Sequence, residues 1–265
     1  MEIQHGLGTY TLLDKTYDIV KNAIELGCRH IDTAQIYKNE DDVGKAIRES
    51  NIPRKDFFVT TKINPKYIVK GRKGIINGIK RSLEKLNIEY IDLLLIHKPI
   101  EIKLIESWEV LEDIIIGEKE DIQELKGKIR NIGVSNYKIS HLDIILNGNR
   151  ITPYCNQIEI HPYLQRHELK RYCEKRNIKI VAYCSLLQGT KHDGILKSIA
   201  DKYNMKVAEI LIQWAIINKY IVIPRTTDIK HLRQNIESYK SRINYEVYYE
   251  LNRITEHYSL FPKYL

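Results

Sequence analysis

The sequence lacks the features that mark secreted, membrane-embedded and metal-binding proteins. Its four cysteines (Cys28, Cys155, Cys173 and Cys184) show neither a Cys-x-x-Cys pair nor the spacing of a zinc site. We therefore expect reduced, mostly buried thiols. No apolar run approaches the length that spans a bilayer, and the N-terminal residues do not resemble a signal peptide. The sequence predicts a cytoplasmic protein with no membrane partner and no metal site.

Linkers, low-complexity tracts and blocks of one charge are also missing. Apolar residues make up 43% and charged residues 29% of the chain, which is typical of a folded globular protein. The net charge of +8 is spread along the chain, with basic and acidic residues interleaved. This spread favours a solvated basic surface over nucleic-acid binding, although a phosphorylated cofactor stays compatible with it. At 265 residues without a linker, the chain is expected to form one domain over 1–265.

Short apolar runs rich in β-branched residues recur along the chain and predict buried strands. They cover residues 6–10, 29–34, 57–63, 90–97, 130–135, 154–160, 179–185 and 220–224. Stretches with helical spacing lie between or after them, for example at 14–26, 73–86, 106–127, 207–217, 229–238 and 244–256. Alternation of strand and helix builds a parallel sheet with right-handed crossovers.

Eight strand–helix units in this length favour a closed (β/α)8 barrel of the TIM type over an open, doubly wound sheet. An open dinucleotide-binding sheet would carry Gly-x-Gly-x-x-Gly after its first strand. The nearest match here, Gly6-Leu7-Gly8, continues into Thr9 and Tyr10 instead. The fold class predicted is therefore an α/β barrel, whose active site would lie at the C-terminal ends of the strands.

Four polar residues stand at those predicted strand ends. Asp32 ends the second strand and Tyr37 follows it, while Lys62 and His97 end the third and fourth. A tyrosine with a pKa near 10 needs help to act as an acid, and a lysine held by a carboxylate can lower that pKa. A histidine can donate a hydrogen bond to a carbonyl oxygen. The set predicts a site that receives negative charge developing on oxygen.

Each of these residues has a simpler interpretation when it is taken alone. Tyr37 and Lys62 would be ordinary surface residues. His97 would be a structural histidine, and Asp32 a helix cap. Their placement on three consecutive strand ends is what favours a catalytic role.

At this point the sequence resembles the aldo-keto reductase family, in motifs that keep the family's order over nearly the whole chain. They are GCRHIDTAQIYKNE at 27–40, FFVTTKI at 57–63, IDLLLIHKP at 91–99, IGVSNY at 132–137, NQIEIHPYLQ at 156–165, VAYCSLL at 181–187 and IPRTTDIKHLRQN at 223–235. The resemblance implies that Asp32, Tyr37, Lys62 and His97 form a catalytic tetrad. Tyr37 would then give its proton to a carbonyl oxygen while a nicotinamide delivers hydride to the carbon.

The resemblance also implies a set of cofactor-binding residues. Ser135, Asn136 and Gln157 would hold the nicotinamide carboxamide, and Tyr183 would stack on the ring; without the motifs, a helix cap or core positions would be the preferred interpretation. The full set expected to bind cofactor is Gly8, Thr9, Asp32, Ser135, Asn136, Gln157, Tyr183, Ser185, Leu186, Arg225, Thr226, His231, Gln234 and Asn235, with Arg233 nearby. Arg225 can pair with a 2′-phosphate, so NADPH is favoured over NADH.

Departures from the family pattern modify these expectations. His231 occupies a position where many NADPH-preferring members carry an arginine, which weakens the expected grip on the phosphate. The N-terminal hairpin that plugs the barrel floor in the family is expected to be truncated, at a cost in stability only. The loops after strands four and seven and the C-terminal tail are short, which predicts an open pocket for small carbonyl substrates. His161 is expected to serve a structural turn, and Trp108 and Trp214 the helix core.

The predicted function is NADPH-dependent reduction of aldehydes or ketones to alcohols by a protein that is expected to be monomeric. The alternative is an NADP(H)-binding regulatory or redox-sensing protein with little turnover, since a fold does not determine its function. Nucleic-acid binding has no supporting motif.

Overall fold

The computed structural model of the chain describes residues 5–192, 194–241 and 245–264. Its centre is an eight-stranded, all-parallel sheet with the strands in sequence order. The strands are β1 Leu7–Gly8, β2 His30–Asp32, β3 Phe58–Ile63, β4 Leu93–Ile96, β5 Ile132–Ser135, β6 Cys155–Glu159, β7 Lys179–Tyr183 and β8 Ile221–Val222. Each of them lies within one of the eight predicted strands.

The sheet closes on itself between its first and last strands. The Gly6 N–H donates to the Val222 carbonyl at 2.8 Å, and the Gly8 N–H donates to the Pro224 carbonyl at 3.1 Å. A Cβ at Gly8 would lie 2.8 Å from the Ile223 carbonyl oxygen, so this seam requires glycine. The predicted (β/α)8 barrel is confirmed. The truncated hairpin expected at the N-terminus concerns residues 1–4, which lie outside the described residues.

Helices surround the barrel and bury their apolar faces against it. They are α1 Thr16–Glu25, α2 Glu40–Glu49, α3 Pro65–Ile68, α4 Gly71–Leu86, α5 Leu104–Ile116, α6 Ile139–Leu146, α7 His167–Glu174, α8 Ile195–Lys202, α9 Val207–Ile217, α10 Ile229–Ser238 and α11 Tyr245–Asn252. Trp108 and Trp214 are each 1% exposed, as expected for helix core residues. Within the described ranges, no helix combines the length and apolar character needed to cross a membrane.

Two predicted helices end earlier than expected. The stretch 106–127 does not form one helix, because Gly117 with φ of 73° ends α5 and a 3₁₀ turn follows at Glu120–Leu125. The helix expected at 244–256 ends at Asn252, and residue 244 lies outside the described residues. At this end of the helix, the Gln165 side-chain amide donates to the carbonyls of Asn252 and Ile254. These two carbonyls therefore bond a side chain from another segment in place of the N–H groups of a further helical turn.

Strand periodicity explains which side chains face the barrel interior. Leu93 and Leu95 belong to a small apolar cluster with Cys155, Val181, Ile221 and Ile223, separate from the large core between strands and helices. Neighbouring parallel strands pair Lys62 with Leu95 and Gln157 with Val181. Paired residues share one face of a sheet, so these polar side chains also point into the barrel.

The four cysteines form no disulfide, and three of them are buried while Cys184 is partly exposed. This agrees with the thiols expected from the sequence.

Candidate active site

The predicted tetrad comes together at the C-terminal mouth of the barrel. Asp32 is the last residue of β2, Lys62 lies in β3, and His97 directly follows β4. Tyr37 ends the short 3₁₀ turn Gln35–Tyr37 that leaves β2. The parallel register turns the strand residues inward, and the turn brings Tyr37 back over them.

A buried ion pair forms the floor of this group. Lys62 Nζ lies 2.5 Å from Asp32 Oδ1, and the two residues are 0% and 2% exposed. Lys62 also donates to the Thr33 carbonyl at 2.9 Å and to Tyr37 Oη at 3.4 Å. Gln157 Nε2 donates to the other oxygen of Asp32 at 2.7 Å. Each buried charge therefore has several polar partners, as burial requires.

Burial sets the protonation of the tyrosine. It raises the pKa of Tyr37 well above its ordinary value, and the negative charge of Asp32 raises that pKa further. The net shift of the Tyr37 pKa is therefore upward and not the lowering expected from the sequence, because burial disfavours the phenolate. Tyr37 keeps its proton at neutral pH.

His97 stands beside Tyr37 as a neutral imidazole. Burial, followed by the charges of Lys62 and Lys98, lowers the pKa of His97 to about 3. Its ring centroid lies 5.7 Å from that of Tyr37 with the planes at 84°. The His97 Nδ1 atom is buried and has no hydrogen-bond partner among the described residues. A neutral imidazole ring beside the Tyr37 hydroxyl can form a hydrogen bond to a bound polar group but is not suited to proton donation.

The residues expected to hold a carboxamide form one connected network. Asn136 Nδ2 donates to the His97 carbonyl and to Ser135 Oγ, both at 3.0 Å. Tyr183 Oη donates to Asn136 Oδ1 at 2.7 Å, and Ser135 Oγ donates to the Gln157 carbonyl at 2.9 Å. Asn136 has φ of 64°, a left-handed conformation that asparagine tolerates. Through Gln157 this network joins the Asp32–Lys62 pair.

A single cavity of about 660 Å³ connects the tetrad with the residues expected near the adenosine phosphate. Its lining includes Gly8, Asp32, Tyr37, His97, Ser135, Asn136, Gln157, Tyr183, Ser185, Leu186, Arg225, Thr226, His231, Gln234 and Asn235. Three residues of α10, His231, Gln234 and Asn235, border it. The Asp228 side chain caps this helix by accepting from the Lys230 and His231 N–H groups.

Three residues named from the sequence do not line this cavity. Thr9 is buried, and both its N–H and its hydroxyl donate to the Asp32 carbonyl, at 2.9 and 3.0 Å. Thr9 therefore supports the backbone of Asp32. Lys62 lies beneath Tyr37 and Asp32, and the exposed Arg233 lies outside the lining.

The charge of the lining suits an anionic dinucleotide. Lys206, Arg225 and Lys263 contribute basic side chains to the cavity. Asp32 is the single carboxylate among the described lining residues, and Lys62 already neutralises it. A polyanionic ligand would therefore meet a favourable potential here. The cavity therefore combines a network of polar side chains, around Ser135, Asn136 and Gln157, with basic groups that suit a negatively charged ligand.

Several residues that line the cavity are not among the site residues predicted from the sequence. Tyr10 is 43% exposed at the mouth, with its ring centroid 5.1 Å from that of Tyr37. The C-terminal tail brings Phe261, Lys263 and Tyr264 to the same rim. Tail residues carry no strand or helix periodicity, so only the general expectation of a substrate wall formed by the tail pointed to them.

Comparisons with known proteins agree with this architecture. The Aldo/keto reductase family profile matches residues 3–256. The chain is 37% identical to the 9,11-endoperoxide prostaglandin H2 reductase of Trypanosoma cruzi, covering 96% of this chain and 88% of that protein. It is 35% identical to the glyoxal reductase of Bacillus subtilis, covering 91% and 84%.

A solved structure is similar over almost the full length. The aldo-keto reductase MGS-M4, from a Medee basin deep-sea metagenome library, superposes with a TM-score of 0.88 at 33% identity, covering 98% of this chain and 94% of that one. This chain belongs to the aldo/keto reductase family.

Proposed function

We propose that the protein reduces aldehydes or ketones to alcohols with NADPH, using Tyr37 as the proton donor. Membership of the aldo/keto reductase family supports carbonyl reduction as the reaction class. The observation that carries the finer proposal is the position of Tyr37. Its protonated hydroxyl lies 3.4 Å from Lys62 Nζ, and the residue lines the same cavity as the carboxamide network.

The four tetrad residues have different proposed roles at the substrate oxygen. Tyr37 donates its proton to the oxygen as charge develops there, which leaves a phenolate. The Lys62 ammonium stabilises that phenolate, and the Asp32 carboxylate keeps Lys62 charged and in place at 2.5 Å. His97, with a pKa of about 3, stays neutral and orients the carbonyl group by a hydrogen bond.

NADPH, when bound, supplies the hydride that reduces the carbonyl carbon. Ser135, Asn136 and Gln157 would hold its carboxamide, and the Tyr183 ring would pack against the nicotinamide. At the other end, Thr226, His231, Gln234 and Asn235 would surround the adenosine, while Arg225 would pair with the 2′-phosphate. The basic lining supports NADPH over NADH, since only NADPH carries that phosphate.

Small carbonyl compounds are the proposed substrates. The relative named glyoxal reductase supports a small dicarbonyl as one of them. The short loop between β4 and α5 supports an open pocket. A monomeric state and a cytoplasmic location stay predictions; the free thiols support the latter.

The test follows NADPH consumption with glyoxal and a panel of aldehydes and ketones, repeated with NADH. Replacing Tyr37→Phe should lower kcat/KM by about 100-fold or more, because general acid catalysis contributes that much, while NADPH binding is kept. Tyr249→Phe is the matched control, since Tyr249 is 61% exposed on α11 and does not line the cavity, and it should keep its activity.

NADPH binding by the native chain without turnover of any carbonyl would contradict the proposal. That result would favour a cofactor-binding regulatory protein. Equal turnover by the native protein and Tyr37→Phe would show that Tyr37 is not the proton donor. Faster turnover with NADH than with NADPH would contradict the proposed cofactor preference.

A further inference from the structure

A buried carboxylate outside the tetrad binds the C-terminal tail. Glu159 is the last residue of β6 and is 0% exposed. Its Oε1 accepts from the Leu260 N–H at 2.6 Å, and its Oε2 accepts from Ser259 Oγ at 2.8 Å and from the Phe261 N–H at 3.1 Å. All three donors belong to residues 259–261, which lie about a hundred positions further along the chain.

The segment after β6 completes this grip. His161 is also 0% exposed, and its Nε2 lies 3.2 Å from Glu159 Oε1. Arg166 donates through Nε to the Glu159 carbonyl at 2.9 Å and through Nη2 to the Tyr264 carbonyl at 3.3 Å. Within the NQIEIHPYLQ motif, Glu159 thus binds the tail, and His161 contacts Glu159 in addition to the turn role expected from the sequence.

The charge on Glu159 makes these contacts strong. Burial acts to raise the pKa of this carboxyl, but hydrogen bonds from His161, Leu260 and Ser259 outweigh it, so the pKa lies below its ordinary value. Hydrogen bonds to an ionised acceptor are stronger than those between neutral groups. If these donors left, the buried carboxylate would have no hydrogen-bond partners. The free-energy cost would be larger than for a neutral polar group at the same position.

The tail held in this way forms part of the cavity wall. Phe261, Lys263 and Tyr264 line the cavity, and the Phe261 ring lies edge-on to Tyr183 with centroids 5.8 Å apart. Phe261 and Tyr264 are themselves 6.5 Å apart and tilted by 30°. Glu159 is absent from the lining, so it acts on this wall through its hydrogen bonds to residues 259–261.

We propose that Glu159 is a positioning residue that determines substrate specificity by fixing the aromatic wall of Phe261 and Tyr264 at the mouth of the cavity. The class of substrate that this wall selects is a carbonyl compound with a planar apolar group, such as an aromatic aldehyde. A small dicarbonyl such as glyoxal has no planar apolar group to pack against the wall. The substrate class rests on the proposed reductase function, whereas the anchoring of the tail does not.

The experiment combines hydrogen exchange with steady-state kinetics on the full-length protein. Glu159→Gln keeps the shape of the side chain but removes its charge. Ser259→Ala removes one donor to Glu159, together with the acceptor that Ser259 Oγ offers to the Phe261 N–H, and leaves the buried carboxylate in place. Glu174→Gln is the matched control, because the Glu174 side chain is 54% exposed on the neighbouring α7. Exchange is measured by mass spectrometry at residues 259–264, and KM and kcat with benzaldehyde, glyoxal and NADPH.

Glu159→Gln should speed exchange of the tail amides and raise KM for benzaldehyde about 10-fold, the range expected when apolar contacts in a pocket are lost. Ser259→Ala should have the same effects to a smaller extent. KM for glyoxal and for NADPH, and kcat for glyoxal, should stay close to the native values. Glu174→Gln should behave as the native protein in both assays.

Other outcomes overturn specific parts of the proposal. Unchanged tail exchange in both Glu159→Gln and Ser259→Ala would overturn the anchor. Faster exchange with equal changes in KM for benzaldehyde and glyoxal would overturn the specificity role, as would turnover of glyoxal but not benzaldehyde by the native protein. If the native protein reduces no carbonyl at all, the proposed function fails and the specificity role with it, while the exchange data still decide the anchor.

Discussion

Gln157 links the two halves of the candidate site at the scale of single residues. Its side-chain Nε2 donates to Asp32, and its backbone carbonyl accepts from Ser135 Oγ and from the Asn136 N–H at 2.9 Å. The acid–base group and the carboxamide network are therefore parts of one hydrogen-bonded unit.

The buried ion pair leads to a prediction at the same scale. Lys62→Met should lower the free energy of unfolding by about 3–5 kcal/mol, because it leaves the 2% exposed Asp32 carboxylate without its counter-ion. Adding Asp32→Asn should recover much of that loss, since no buried charge remains. Urea unfolding of the native, single and double variants measures both effects.

The same variants separate stability from catalysis. Both Lys62→Met and the double variant should lose carbonyl reduction, because no ammonium remains within reach of the Tyr37 phenolate. If the two substitutions instead destabilised additively, Asp32 and Lys62 would not be coupled through the ion pair.

At the scale of elements, the packing of α2 on α4 depends on one glycine. A Cβ built at Gly44 would lie 1.8 Å from the Leu86 carbonyl oxygen and 2.6 Å from its carbon. The two helices can approach this closely only because residue 44 has no side chain. The contact fixes where α4 ends, and there Asn87 takes a left-handed conformation with φ of 47°.

Gly44→Ala should therefore destabilise the protein although alanine favours helices. Forcing α2 and α4 apart should cost about 1–3 kcal/mol of unfolding free energy, as overpacking does in other cores. Lys45→Ala is the control on the same helix, because Lys45 is exposed and its substitution changes only a surface contact. Urea unfolding of both variants makes the comparison, and a stability gain in Gly44→Ala would show that the helices separate without cost.

At the scale of the whole molecule, the barrel keeps two histidines neutral in its interior. Burial, with the charges of His5 and Lys62, lowers the pKa of His30 to about 3. His97 is lowered to about 3 as well, at the opposite end of the barrel. The unfolded chain binds protons at both positions below about pH 6.5, whereas the folded protein does not until the pH approaches 3.

Stability should consequently fall as the pH decreases through this window. Each histidine contributes a slope of up to about 1.4 kcal/mol per pH unit, because the unfolded state binds the additional proton. His30→Gln should flatten the dependence of unfolding free energy on pH between about 7.5 and 5, since glutamine does not titrate. Urea unfolding across that range tests this, and identical slopes for native protein and variant would refute it.

Much of this architecture can be predicted from the sequence because it depends on local patterns. A parallel strand buried on both faces needs a continuous apolar run, so the runs at 57–63 and 90–97 predict two strands of the barrel. Asp32, Lys62 and His97 are recognisable because a barrel places polar residues at its strand ends. The sequence predicts a helix that continues past Gly117, because the helical spacing of apolar residues extends beyond that glycine. In the structure α5 ends at Ile116.

Other features were decided only by the tertiary structure, because they depend on burial or on partners far apart in the chain. The raised pKa of Tyr37 follows from desolvation, which no local pattern reveals. Thr9 supports Asp32 from 23 positions away. In the sequence Glu159 is indistinguishable from other strand residues, because its partner Ser259 lies 100 positions further along the chain. The sequence by itself determined the barrel and the identity of its strand-end side chains. Folding decided their protonation and the wall that Phe261 and Tyr264 form at the cavity, because both arise only when distant segments come together and exclude water.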